Sequence, residues 1–291
     1  MLNSMISVIH AIILGLAQGI TELFPISSLG HSVIIPQLFN WHIQQNGSYY
    51  VTFLVGTHFA TALVLVGFFW KDWKKIISGI IRSLKARQID TNDSYAKIGW
   101  LLVVATIPAG ILGLLFQDSL SKLFTSAKIA SLLLILNGII LFGAERLRKN
   151  RQNIPNNISE RDKGIAKLRW GHAIGIGIFQ SASLFPGISR AGTSMAGSLT
   201  AGLNNEEAAR FSFLLATPII FAASALKLPD IFSNSYVHMR LAIIVGALCA
   251  ALAAYLSVSF LIRYFRTKTL TPFAIYCFVV GLSLSLYFLV R

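Results

Sequence analysis

Six stretches of the chain are apolar over close to twenty residues each, and this feature restricts the possible folds more than any other. They are Tyr50–Trp70, Ile98–Phe116, Ala127–Ala144, Ala208–Leu226, Leu241–Ile262 and Phe273–Val290. An α-helix needs about 20 apolar residues to cross a bilayer. Only 12% of the 291 residues are charged, about half the share usual in soluble domains. The sequence therefore predicts a polytopic membrane protein with six transmembrane helices and excludes the soluble class.

Two further apolar regions are interrupted by short breaks rich in Pro, Gly and Ser, at residues 24–31 and 186–194. The arms before the breaks are Met5–Leu23 and Gly171–Phe185, and the arms after them end near Phe39 and Leu203. Broken backbone at membrane depth is tolerated only where protein or a wet cavity satisfies its polar groups. We therefore expect two re-entrant helical hairpins, so the predicted fold class is all-α.

Lysines and arginines are concentrated in three connecting segments, 71–97, 145–170 and 263–268. Six spans place all three segments on one side of the membrane. Cytoplasmic loops are enriched in these residues, so both termini are predicted to lie outside. The same rule accounts for the formal net charge of +14 without a nucleic-acid partner. Segment 71–97 is compatible with a surface amphipathic helix and equally with a solvated loop.

The two breaks resemble each other. Ile26–Ser32 aligns with Ile188–Ser194 at a constant offset of 162, and the Ile, the first Ser, the Gly and the last Ser match. Because three predicted spans follow each break, the hairpins would enter from opposite faces in an inverted-topology repeat. The prediction is one integral membrane domain built from two repeats, 1–150 and 151–291, with a site near the midplane at the repeat interface.

Ionisable side chains within apolar regions are expensive and are functional candidates. Glu22 and Arg190 are of this kind. Gln18 precedes Glu22 by one helical turn, so a ligand or ion at that helix face would touch both. Two roles are open for Arg190, a phosphate ligand or a structural counter-ion to Glu22. The remaining histidines outside the breaks are predicted to be structural: His10, His42, His58, His172 and His238.

The second break has the character of a phosphate site, because small residues let backbone N–H groups approach an anion and hydroxyls add donors. These residues are Gly187, Ser189, Gly192, Thr193 and Ser194. Arg190 offers a planar fork to phosphate oxygens. In the first break Ser27 and Ser28 are candidate nucleophiles. His31 is the candidate acid or base, with a satisfied core histidine as the alternative, and Glu22 would orient it. The residues predict a membrane-embedded phosphate or diphosphate site.

Three stretches are similar to one known family. Gln18–His31, with the sequence QGITELFPISSLGH, resembles the first signature of the undecaprenyl-diphosphate phosphatase family of the bacitracin-resistance type. Pro186–Gly192, PGISRAG, resembles its second signature, and Glu206–Pro218 is similar to the stretch that follows it. The likeness covers the chain in length and order. The chain departs from the family pattern at Gln18, where an acid is usual, and at Leu29 and Ala191, where hydroxyl residues are usual.

The resemblance implies hydrolysis of a polyprenyl diphosphate, undecaprenyl diphosphate, at the outer face of the bacterial cytoplasmic (inner) membrane. That reaction recycles the lipid carrier for peptidoglycan synthesis and gives tolerance to bacitracin. It implies a divalent cation, magnesium or calcium, with Glu22 as the best candidate ligand, and no organic cofactor. Catalytic roles would fall on Glu22, Ser27, His31 and Arg190. Substrate contacts would fall on Gln18, Ser28, Gly187, Ser189, Gly192, Thr193 and Ser194.

A transporter that moves a polyprenyl phosphate without hydrolysis is the alternative, because inverted repeats are typical of transporters and Gln18 removes one acid. The lipid chain length, the metal, the nucleophile and the oligomeric state, a homodimer included, are left open by the sequence.

Overall fold

The computed structural model describes residues 6–45, 47–116, 125–148 and 158–290. Within these ranges the chain is helical and contains no β-strand, which confirms the all-α class. The helices are α1 Val8–Thr21, α2 Ser28–Leu38, α3 Ser48–Phe68, α4 Trp70–Ala86, α5 Ser94–Leu115, α6 Ala127–Leu147, α7 Ile158–Ala166, α8 Trp170–Ser181, α9 Arg190–Thr200, α10 Asn205–Lys227, α11 Arg240–Tyr264 and α12 Thr271–Val290.

Six of the described helices, α3, α5, α6, α10, α11 and α12, are long and apolar enough to cross a membrane. Each overlaps one of the six predicted apolar stretches over nearly its whole length, so the prediction of six apolar helices is confirmed. Polar caps explain why two helices begin before their apolar run. Asp93 accepts a hydrogen bond from the Ala96 N–H at the start of α5. Asn204 and Glu207 form a capping box at the start of α10, and such caps satisfy the first N–H groups of a helix.

The two interrupted regions form pairs of short helices. α1 has 14 residues and α8 has 12, which correspond to about 21 and 18 Å, whereas the hydrocarbon core is about 30 Å thick. α2 and α9 have 11 residues each. α1 packs on α2 and α8 packs on α9. These lengths suit re-entrant hairpins, and the insertion of the hairpins into a bilayer stays a prediction.

Helices from the two halves of the chain pack against each other. α1 lies along α11, α8 lies along α5, and α6 lies along α12. Close approach depends on small residues, because a Cβ on Gly15 of α1 would lie 2.3 Å from the carbonyl oxygen of Gly246 in α11. The short helix before each break thus packs on a long helix from the other half of the chain, and this arrangement brings the two breaks together. The proposed repeat boundary at residue 150 lies outside the described residues, and the division into two repeats stays a prediction.

The first part of segment 71–97 is a helix, α4, rather than a loop. It packs on α5, where the Trp100 Nε1–H donates to the Ser83 hydroxyl over 2.8 Å. Gly79 allows this contact, because a Cβ there would lie 2.5 Å from the backbone nitrogen of Ala96. α4 therefore lies at the end of the bundle where α3 ends and α5 begins.

Candidate active site

The two breaks are joined through the hydroxyl of Ser27. Its Oγ accepts hydrogen bonds from the Gly30 N–H (3.2 Å) and the Gly187 N–H (3.1 Å), and donates to the Ile188 carbonyl (3.3 Å). Gly187 has φ +106, and a Cβ there would lie 2.3 Å from the carbonyl oxygen of Ala130. Only glycine therefore fits this turn. Ser27 itself has φ 71, an uncommon conformation for a residue with a side chain.

A second joint is Asn137, a fully buried residue of α6. Its Oδ1 accepts a hydrogen bond from the Ser189 N–H over 3.0 Å, and its Nδ2 donates to the Pro25 carbonyl over 2.9 Å. One amide side chain therefore satisfies backbone groups of both breaks. The sequence analysis missed Asn137. The signal available was a lone polar side chain in an apolar span.

The carboxylate of Glu22 is the centre of the site. Glu22 follows the last residue of α1 and is 5% exposed. Oε1 accepts hydrogen bonds from Arg190 Nε (3.1 Å) and Nη2 (2.9 Å). Oε2 accepts hydrogen bonds from Gln18 Nε2 (3.1 Å) and from the Ser28 hydroxyl (2.5 Å). In this conformation Arg190 is therefore a counter-ion to Glu22, which is one of the two roles that the sequence left open, and its role as a phosphate ligand stays a prediction.

His58 of α3 also belongs to this cluster, although the sequence analysis treated it as structural. Its Nε2 lies 3.3 Å from Glu22 Oε2, and its Nδ1 lies 2.7 Å from the Leu54 carbonyl. A carbonyl can only accept, so Nδ1 carries a proton. A hydrogen bond between Nε2 and the carboxylate needs a second proton, on either His58 or Glu22. The rule that singled out Glu22, an ionisable group in an apolar region, applies equally to His58.

A cavity of about 340 Å³ adjoins the cluster. Its charged and polar side includes Glu22, Ser28, His58 and Arg190. Its apolar side includes Leu54, Val55, Ile219, Ile220 and Ala223. A cavity with a few convergent polar groups and an otherwise apolar wall is the usual form of a ligand site. Its two sides suit a ligand with an anionic end and a hydrocarbon chain.

Several predicted site residues lie behind the cavity rather than on it. Thr193 Oγ1 donates to the Ser189 carbonyl over 2.9 Å, and Ser194 Oγ donates to the Arg190 carbonyl over 2.8 Å. Ser189 caps α9 by accepting from the Gly192 N–H over 3.0 Å. These hydroxyls hold the second break in shape. Their predicted contacts with a substrate stay predictions.

His31 lies apart from the carboxylate cluster. Its Nδ1 lies 2.7 Å from the Ser27 carbonyl and its Nε2 lies 2.9 Å from the Tyr276 hydroxyl. A carbonyl only accepts, so Nδ1 donates to Ser27, whereas the contact between Nε2 and the Tyr276 hydroxyl can run in either direction. In this conformation the ring contacts the Ser27 backbone, not its hydroxyl. The catalytic roles predicted for Ser27 and His31 therefore have no support from the geometry, whereas Ser28 contacts a carboxylate directly.

The side chains around the cavity offer few ligands for a metal ion. Among the described residues, no group of three or more His, Cys, Asp or Glu side chains is placed to hold a metal ion. Glu22 is the one carboxylate among the described residues of the cavity wall, and both of its oxygens already accept from N–H or O–H donors. Magnesium and calcium need six or more oxygen ligands. These side chains do not by themselves fit such an ion, so no chemical step is assigned to one.

Comparisons with known proteins agree with the motifs. The family model described as bacitracin resistance protein BacA matches residues 11–283. The chain is 40% identical to undecaprenyl-diphosphatase 2 of Frankia alni, over 94% of this chain and 95% of that protein. It is 40% identical to undecaprenyl-diphosphatase of Mycolicibacterium paratuberculosis, over 95% of each chain. It is 38% identical to undecaprenyl-diphosphatase 2 of Burkholderia ambifaria, over 96% of each.

Proposed function

Because this chain belongs to the family of the bacitracin resistance protein BacA, we propose that it hydrolyses undecaprenyl diphosphate to undecaprenyl phosphate and inorganic phosphate. The relatives named above carry this activity in their names, and the chain is, like the family, a multi-pass membrane protein. One observation carries the proposal. The Glu22 carboxylate lies between a serine hydroxyl and an arginine at the charged end of an apolar cavity.

Binding of the diphosphate follows from the charges around the cavity. The Arg190 guanidinium can offer paired N–H donors to phosphate oxygens, and its Nη1 has only a 3.5 Å contact with the Ser212 carbonyl. α2 and α9 both begin at the site, at Ser28 and Arg190, and helix N-termini favour anions. The apolar wall receives the first isoprene units. A cavity of this size is at the small end for an organic ligand, so the rest of the chain lies among membrane lipids.

Ser28 is the nucleophile in this proposal. Its hydroxyl donates to Glu22, so the carboxylate is placed to take the proton as the serine oxygen attacks the terminal phosphorus. The P–O bond to the bridging oxygen then breaks, and undecaprenyl phosphate leaves. A water molecule subsequently hydrolyses the phosphoserine, releasing inorganic phosphate and returning a proton to the serine.

Substrate binding would itself prepare Glu22 for this step. In the structure, two N–H groups of Arg190 bond to Oε1 of Glu22. A phosphate that takes over the guanidinium would release Oε1 from these donors. The carboxylate would then be available for the serine proton only when the substrate is present. His58, 3.3 Å from Oε2, would hold the second proton and offset the added negative charge.

The position of the reaction in the cell is part of the proposal. The proposed location is the cytoplasmic membrane, and the basic connecting segments support an orientation with both termini outside. All groups named in the mechanism come from one chain, so the proposal requires no second subunit. It also requires no divalent ion held by protein side chains alone.

The direct test uses the purified full-length chain in neutral detergent with a synthetic polyprenyl diphosphate. Phosphate release is followed with time, and the lipid product is identified by mass. We expect one phosphate per lipid and a polyprenyl monophosphate. Reconstituted vesicles add a second measurement: movement of a labelled polyprenyl phosphate across the bilayer without phosphate release would support the transporter and overturn the proposal.

A further inference from the structure

Helix α4 presents three chemically different faces along its 17 residues. One face packs on α5 through the buried residues Ile76, Gly79 and Ser83. The other two faces do not pack on this core. Packing on α5 accounts for only one face of α4, so the composition of the two exposed faces needs a separate explanation.

The second face is apolar and exposed. Trp70, Ile77, Ile81 and Leu84 are 51%, 52%, 47% and 58% exposed. Their spacing of seven, four and three residues places them in one stripe. Four large apolar side chains in one exposed stripe would be unfavourable in water, whereas they suit the boundary between acyl chains and headgroups.

The third face, next to the apolar stripe, is basic. Lys71, Lys74 and Lys85 are exposed, and no acidic side chain of the described residues forms an ion pair with them. Two other basic residues of α4 are engaged within the protein. Lys75 donates to the Tyr95 hydroxyl over 3.2 Å, and Arg82 pairs with Asp93 over 2.7 Å. Lys74 also lies 5.1 Å from the ring centre of Trp70, but none of the three ammonium groups is neutralised by a described carboxylate, so they can bind an outside anion.

The position of α4 agrees with a membrane boundary. Asp72 of α4 pairs with Arg210 of α10 over 2.8 Å, which attaches α4 to the bundle. At the same end, the Lys97 ammonium lies 3.5 Å from the ring centre of Trp170. Trp side chains are concentrated at membrane–water boundaries. α4 is thus held where its apolar stripe can enter the lipid and its lysines can reach headgroups.

We propose that α4 is a binding surface for anionic phospholipids of the leaflet in which it lies. The apolar stripe inserts at the level of the upper acyl chains, and Lys71, Lys74 and Lys85 bind the phosphodiester headgroups. An apolar face beside a basic face is the pattern of helices that lie in the plane of anionic membranes. A second copy of the chain fits less well, because lysine is depleted from protein–protein interfaces.

The test uses the purified, delipidated full-length chain in neutral detergent, titrated with phosphatidylglycerol or phosphatidylcholine and followed by native mass spectrometry. The test variant is Lys71→Gln/Lys74→Gln/Lys85→Gln. A control of the same kind, Lys163→Gln/Lys167→Gln, removes exposed lysines of α7 and the turn after it. A second control, Arg190→Ala, removes the arginine of the cavity, where an anionic lipid could also bind.

We expect the wild type to prefer phosphatidylglycerol over phosphatidylcholine, and added salt to reduce the preference. The α4 variant should lose about 10²-fold in affinity for phosphatidylglycerol, with phosphatidylcholine unchanged, while both controls keep the preference. Equal binding of the two lipids by the wild type would overturn the proposal, as would loss of the preference in Arg190→Ala. A dimer in the wild-type spectra that disappears in the α4 variant would assign this face to a second copy instead.

Discussion

Arg190 and Arg210 are buried to nearly the same degree, with 12% and 13% of their side chains exposed, but their partners differ. Arg190 pairs with one carboxylate, Glu22, which also contacts His58. Arg210 pairs with two carboxylates, Asp72 (2.8 Å) and Asp162 (3.0 Å). The first cluster therefore has one carboxylate for two groups that can be cationic. The second has two carboxylates for one guanidinium.

The two clusters also differ in what surrounds them. In each, a hydroxyl donates to a carboxylate over 2.5 Å: Ser28 to Glu22, and Tyr95 to Asp162. Ser28 lies on the cavity wall, whereas Arg210 and its partners do not. Arg210 instead connects α10 with α4 and α7. A buried ion pair alone thus does not mark an active site. An excess of groups that can be cationic beside a cavity indicates anion binding, whereas an arginine held between two carboxylates away from that cavity indicates a structural clamp.

Removal of a carboxylate should produce the largest difference in phosphate release between the two clusters. Glu22→Gln should lower phosphate release by about 10³-fold or more, because the group that takes the serine proton is lost. Asp162→Asn, at the clamp, should leave turnover per folded molecule unchanged. It should destabilise the chain by about 3 kcal/mol, because one partner of a buried ion pair is removed. Phosphate release and thermal unfolding of both variants test this; wild-type turnover in Glu22→Gln would end its catalytic assignment.

The hydroxyls of Ser28 and Tyr95 allow a matched comparison, and the loss expected at Ser28 is about as large as that in Glu22→Gln. Ser28→Ala should reduce phosphate release by about 10³-fold, since a nucleophile and its base act as one unit. Tyr95→Phe should keep turnover and lower only the unfolding temperature. Ser27→Ala should destabilise by about 1–3 kcal/mol, because the Gly30 and Gly187 N–H groups lose their acceptor. A loss of turnover in folded Ser27→Ala larger than in Ser28→Ala would move the nucleophile to Ser27.

The arginines themselves should respond differently to a change that keeps the charge. Arg190→Lys should lose about 10²- to 10³-fold in kcat, because a point charge cannot replace the planar fork on a phosphate. Folding should survive, since lysine can still pair with Glu22. Arg210→Lys should keep kcat and unfold at a lower temperature. If Arg190→Lys turns over like the wild type, Arg190 is only a counter-ion, and the contrast with Arg210 disappears.

Substitution of His58 by Gln should have a smaller effect, a loss of about tenfold in kcat/KM that comes mainly from a higher KM. A protonated His58 adds positive charge where the diphosphate binds. As the pH rises and His58 loses that proton, the KM of the wild type should increase. His58→Gln should remove this increase and have a high KM throughout. Steady-state kinetics across pH for both proteins checks this; an unchanged pH profile of KM in His58→Gln would make His58 structural, as the sequence analysis predicted.

The smallest expected effect on phosphate release comes from giving the Arg190 cluster a second carboxylate, as the Arg210 cluster has. Gln18→Glu would place a second carboxylate 3.1 Å from Glu22, as Asp72 and Asp162 flank Arg210. Two carboxylates at that distance share a proton or bind a divalent cation. We expect phosphate release in Gln18→Glu to become more dependent on magnesium or calcium and to change severalfold. Titration of each ion against a chelator measures it, with the wild type as reference. An identical ion dependence in the two proteins would contradict the expectation.

The sequence alone determined the features that depend on neighbouring residues in the chain. Six helices form where apolar runs are long enough to cross a bilayer, and polar breaks shorten the others. Glu22 and Gln18 share a helix face because they are four residues apart. Glu22 and Arg190 were also singled out, because each is an isolated charge in an apolar region, but a contact between them was only the alternative to a phosphate-binding role for Arg190.

Only the tertiary structure decided which side chains meet between distant helices. Local periodicity gives the face on which a residue lies but not the neighbour that the face contacts. The sequence therefore could not place His58 of α3 beside Glu22, or choose between Ser27 and Ser28, which are adjacent in the chain but point to different partners. Ser27 bonds to the second break and Ser28 to the carboxylate. That difference arises from the packing of α1 along α11 and of α8 along α5, which brings the two breaks into contact.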